Sequence, residues 1–126
     1  MDYKSKNILI AVKSIFLPQY SNLDNSEYVF GYYITISNNE NDPVQIIKRH
    51  WEIIDANGNT KIVDGIGVVG EQPIINPGEK YNYNSFCPLE TEFGKMSGHY
   101  KMKDYKGTLF NIPIPEFSLI SPSHLN

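Results

Sequence analysis

Between Tyr28 and Ile36, every second residue is large and apolar: Tyr28, Phe30, Tyr32, Ile34 and Ile36. A period of two places those side chains on one face of an extended chain, the pattern of a strand with one buried side. The rest of the sequence points the same way. Ile and Val together outnumber Leu and Ala by more than two to one, and nine Tyr and six Phe add to the bias. Branched and aromatic side chains suit a pleated, half-buried surface. Nine Gly and eight Pro punctuate the chain too often for long helices. The expectation is an all-β protein.

Six further segments read as strands: residues 7–16, 44–54, 60–63, 79–86, 96–103, and 108–114 continued by 117–120 after Pro115. Within 44–54, Val44, Ile47, Trp51 and Ile54 would also make a helical stripe. The shared parity of Ile47, Trp51 and Ile53, and the hairpin signal Asn57-Gly58 that follows, favour a strand. Asp104 to Gly107 reads as another turn, and the stretch after Gly70, through Pro73, Pro77 and Gly78, as a loop broken by Pro and Gly. A proline inside the last strand suits an edge or a bulge. About seven strands with no crossover helix imply an antiparallel β-sandwich, with residues 1–126 as a single domain.

Eleven basic residues against fourteen acidic ones give a net charge of −3 in 126 residues, which argues against nucleic acid as a partner. No apolar stretch is long enough to cross a membrane as a helix. One cysteine, Cys87, excludes an internal disulfide, and no spacing resembles a zinc cluster. These features fit a cytoplasmic protein without a cofactor or resident metal.

Candidate chemistry is sparse. Gly65, Gly67 and Gly70 spell G-x-G-x-x-G, which in a dinucleotide fold lets a pyrophosphate approach a helix N-terminus. Pro73 and Pro77 exclude that helix, so the residues either shape a bulged strand and turn or form a phosphate-binding nest of backbone N–H groups. His50, His99 and His124 are widely spaced. His50 faces away from Trp51, as an exposed side chain or as one ligand of a weak divalent-metal site shared with carboxylates. Cys87 lacks the flanking pattern of a nucleophile, although His99 lies across an expected hairpin. No serine elbow or acid pair points to catalysis. The tyrosines are too numerous for one small core, so some rings must be exposed. Tyr20, Tyr81, Tyr83 and Tyr105 are candidates, and Tyr81, Tyr83 and His50 are the expected partner surface.

Several segments resemble the ApaG family, also called CorD. Tyr28-Val29-Phe30 with Tyr32, Ile34, Ile36 and Asn38, then Arg49-His50-Trp51 with Asp55 and Gly58, carry the resemblance. So do Gly65, Gly67-Val68-Val69-Gly70, Gln72-Pro73, Pro77-Gly78-Glu79, Tyr81 and Tyr83, and later Met96, Gly98, Tyr100 and Ile114-Pro115. The chain departs from the family pattern at Phe86, where glycine is usual, and at Thr91-Glu92, where a Thr-Pro turn is usual. The resemblance implies a fibronectin type III/immunoglobulin-like sandwich without established enzymatic activity. It also implies links to cobalt resistance and magnesium efflux in bacterial members, and a partner-binding role where the domain is appended to larger eukaryotic proteins. The resulting expectation is a non-catalytic protein-interaction module, with a homodimer as one form of partnership.

Overall fold

A computed structural model describes residues 6–122; His124 lies outside them. Its eight strands run β1 (Ile8–Phe16), β2 (Tyr28–Asn38), β3 (Val44–Asp55), β4 (Thr60–Ile66), β5 (Ile74–Ile75), β6 (Lys80–Leu89), β7 (Phe93–Asp104) and β8 (Leu109–Ile120). All pairings are antiparallel. One sheet has the order β1-β2-β6, and the other β4-β3-β7-β8 with β5 beside the start of β3. This is the expected sandwich of fibronectin type III type. Its core is drawn from both inner faces and includes Phe30, Tyr32, Ile34 and Ile36 from β2 and Trp51, Met96, Tyr100 and Met102 from β3 and β7. The alternation in β2 is therefore the signature of a buried face, as read.

Segment 44–54 is a strand, but its parity changes. The β3–β7 register shifts between Ile46 and Lys48. That bulge lets Val44 and Ile46 point inward before it, and Trp51, 2% exposed, point inward after it. Ile47, expected to share the face of Trp51, sits at the irregularity instead. The last strand is continuous from Leu109 to Ile120, and its proline lies at a bulge, where Pro115 and Glu116 together oppose the single residue Ser97. A bulge accommodates the proline, which has no N–H to give, and β8 is an edge strand. One other expectation is corrected: the stretch after Gly70 is not wholly loop, since Ile74 and Ile75 pair with Gln45 and Val44.

The two hairpin turns share one construction. Asp55 Oδ1 accepts the N–H groups of Asn57 and Asn59, and Gly58 follows with φ +84°. Asp104 Oδ1 likewise accepts from Lys106 and Thr108, with Gly107 at φ +85°. A short acidic side chain thus closes each turn on backbone donors while glycine supplies the left-handed residue. These turns fix which residues of β3, β4, β7 and β8 stand side by side.

Candidate functional site

Because side chains alternate along each strand, register arranges the outer face of the larger sheet in rows. One row reads Asp64, His50, His99, Pro113, and the next reads Ile66, Lys48, Lys101, Asn111. Cross-strand pairing therefore brings together two histidines that are 49 positions apart in sequence. Their rings stack with centroids 4.9 Å apart and planes inclined by 23°. His50 Nδ1 is 2.6 Å from Asp64 Oδ1, and its Nε2 is 3.4 Å from Glu52 Oε2. The bond to Asp64, with the nearby charges of Asp64 and Glu52, raises the pKa of His50 above its ordinary value. Burial, together with the neighbouring His50 and Lys101, lowers that of His99. Of the two stacked rings, His50 is therefore the one that takes up a proton first as pH falls. A cavity of about 370 Å³ opens here, lined by Lys48, His50, His99, Lys101, Asp64 and Gly65 among others. The described residues contain no group of three or more His, Cys, Asp or Glu placed to hold a metal ion.

The G-x-G-x-x-G segment lies at one end of this face. The β4 and β5 strands run along the same side of β3, and residues 67–73 are an excursion between them. The Arg49 guanidinium lies over Gly65, where a Cβ would come within 2.5 Å of its Cζ, and it donates to the carbonyls of Ile66 and Gly67. Gly67 adopts φ +59° and gives its N–H to Ile47 O at 2.8 Å. Val68 and Glu71 exchange backbone hydrogen bonds across a tight turn whose central residues, Val69 and Gly70, both have positive φ. Val68 itself is fully buried in the core. The glycines therefore seat Val68 and pass Arg49. Two of the N–H groups that a phosphate nest would need, those of Gly67 and Val68, are engaged within the fold.

The expected partner residues do not share a surface. His50 faces outward from the larger sheet, whereas Tyr81 and Tyr83 face inward from β6 and pack half-buried against the core. Tyr83 and Tyr100 hydroxyls are hydrogen-bonded to each other, and burial raises the pKa of both. Tyr81 donates to Glu71 at 3.3 Å. Their parity with buried Cys87 and Leu89 was the signal that would have placed them inside. Cys87 is buried with its thiol pKa pushed up to about 11, on the inner face of β6, while His99 is on the outer face of β7. The structure does not join them into a catalytic pair.

The exposed rings lie elsewhere. On the outer face of the smaller sheet, Ile15, Gly31 and Phe86 stand in one row. Phe86 is 57% exposed and meets Tyr20, 63% exposed, edge-on at 5.9 Å. Tyr33 is exposed in the adjacent row, between Lys13 and Asn84. Phe86, the departure noted in the sequence, is thus the centre of an apolar patch. Tyr105 is exposed as expected, at the turn after β7.

Residues 18–104 match the ApaG domain. The chain is 47% identical to Protein ApaG of Sinorhizobium fredii over 118 residues, spanning 94% of this chain and 91% of that one. Protein ApaG of Agrobacterium fabrum is 46% identical with the same coverage. Among solved structures, an ApaA protein of Bordetella pertussis superposes with a TM-score of 0.90 at 39% identity, covering 93% of this chain and 95% of that one. A protein from Archaeoglobus fulgidus, at 11% identity and a TM-score of 0.52 over 88% of this chain and 95% of that one, shares the fold alone.

Proposed function

The chain belongs to the ApaG domain family, and from that premise we propose that it is a non-catalytic protein-interaction module of the cytoplasm, bearing on cobalt and magnesium homeostasis through the protein it binds. The observation that carries this reading is the exposed patch of Ile15, Tyr20, Tyr33 and Phe86 on the smaller sheet. Aromatic rings that bring apolar area at small conformational cost are the usual anchors of protein interfaces. Three such rings and Ile15, gathered over one face of the smaller sheet, make a surface that water solvates poorly. The tyrosine hydroxyls allow the same face to remain wet when no partner is bound.

The test is a photo-crosslinking amino acid at position 86, with one at Val69 as a control on the other sheet. In cells, position 86 should give one dominant adduct that position 69 does not, and Tyr20→Ala with Phe86→Ser should abolish it in a reporter placed at Tyr33. The same double variant should lower cobalt tolerance to the level of a deletion strain. Adducts of equal yield at both positions would refute the surface. Normal cobalt tolerance in a variant that has lost its adduct would separate binding from cation homeostasis. An adduct of twice the chain's mass would identify the partner as a second copy.

A further inference from the structure

We propose that the cavity on the outer face of the larger sheet binds a phosphate group, either free or carried on a small metabolite. Lys48 on β3 and Lys101 on β7 are directly paired in register, and among the described residues neither has an ion-pair partner. Like charges placed opposite one another on a sheet are unfavourable. Here that repulsion is built into a molecule whose net charge is negative. Among the described residues, Asp64 is the only carboxylate lining the cavity, and it is committed to His50 at 2.6 Å. His99 stands in the row of His50 and Asp64, beside the row of the lysines, and among the described residues its ring nitrogens have no hydrogen-bond partner. Two lysines and the His99 imidazole therefore line one opening, with His50 stacked on His99.

A phosphate dianion matches that set: it brings the charge two lysines lack and several acceptor oxygens. A volume of about 370 Å³ is within the range of small-molecule sites and leaves room for a sugar-sized group beside the exposed side chain of Ile66. The site is distinct from the 65–70 turn, because it uses side chains on the sheet rather than turn amides. It is also independent of the apolar patch on the other sheet.

Binding should also move a proton equilibrium. His99 is faced by His50 and Glu52 from β3, by Asp64 from β4 and by Lys101 on its own strand, and the β8 residue opposite it is the uncharged Pro113. An anion seated between Lys101 and His99 opposes the two cations that depress His99, so its titration midpoint should rise on binding.

The experiment is a nuclear magnetic resonance titration of the whole chain at low salt with inorganic phosphate and, separately, ribose 5-phosphate; ribose is the control. Saturable shifts of the His99 ring signals and the Gly65 amide are expected, with an upward move of the His99 midpoint. Lys48→Ala with Lys101→Ala should weaken binding by roughly tenfold or more, while Lys48→Arg with Lys101→Arg retains it. The alanine variant should melt no lower than the parent, because it relieves a repulsion. The Tyr20/Phe86 variant should bind phosphate normally, which separates this site from the partner surface. Tighter binding of the sugar phosphate would identify a metabolite as the ligand; equal binding would identify the free anion. Shifts confined to Val69 and Gly70, binding unchanged in the alanine variant, or no saturable shift at His99 would overturn the proposal.

Discussion

Gly67→Ala should be among the most damaging single-methyl additions available in this chain. With φ at +59°, the residue is in the left-handed region, which costs an alanine about 1–2 kcal/mol. The added Cβ would also sit 1.7 Å from the carbonyl oxygen of Glu71, a backbone atom that cannot rotate away. The Val68–Glu71 bridge must then open, losing two hydrogen bonds at about 1 kcal/mol each. Partial withdrawal of the buried Val68 adds about 1 kcal/mol more. The sum is about 4 kcal/mol, and at this chain length each kcal/mol moves the melting temperature by about 3–5 °C. Thermal unfolding followed by circular dichroism should therefore show a fall of about 12–20 °C. Val69→Gly is the matched control: Val69 is exposed with φ +48°, so glycine there should be neutral or stabilising by up to about 1 kcal/mol. A Gly67→Ala protein that melts within 3 °C of the parent would refute the architectural account of the motif. So would a Val69→Gly protein that loses as much as Gly67→Ala.

The paired histidines should titrate on opposite sides of the ordinary imidazole value, His50 above and His99 below, as read from their ring protons against pH. His50 contributes stability that is present below its unfolded pKa and lost as pH rises through its folded one. His99 does the reverse, costing stability as pH falls below its unfolded pKa. Asp64→Asn should bring the His50 midpoint down, and coincident midpoints in the parent would contradict the stacked geometry. Cys87, buried with its thiol pKa near 11, should resist a thiol-specific reagent at pH 8 in the native protein and react promptly in denaturant. Rapid native labelling would mean that the β6 inner face opens.

Features that are local in sequence could be read from it. The alternation in β2 gave a face, and the Asp-x-x-Gly turns at 55–58 and 104–107 marked where β3 and β7 end, because their chemistry lies within five residues. The bulge at Ile47 could not be read in the same way. It shows in the sequence only as an apparent helical spacing of Val44, Ile47, Trp51 and Ile54, which is what a strand looks like when its parity changes midway. Whether a strand carries an extra residue depends on the partner that it pairs with, and β7 lies about fifty residues downstream. The inward face of Tyr81 and Tyr83 was accessible by continuing their parity to Cys87 and Leu89, but the tyrosine count drew them outward instead.

Register explains both what was hidden about the outer face and why that face is rigid. Alternation in β7 shows His99, Lys101 and Lys103 on one side, and parity in β3 shows His50 away from Trp51, yet neither strand contains the information that His50 meets His99. That pairing is fixed from the other side of the sheet. Trp51 pairs with Gly98, and its ring packs in the core against Tyr32 and Phe117 at 5.4 and 5.9 Å. A slip of one residue between β3 and β7 would turn Trp51 out of the core, at a cost far above what the histidine stack contributes. The register chosen by the tryptophan then places His50 on His99 and Lys48 against Lys101, whatever those outer residues would prefer. A repulsive lysine pair can persist in such a frame because the core, and not the surface, determines which residues stand opposite one another.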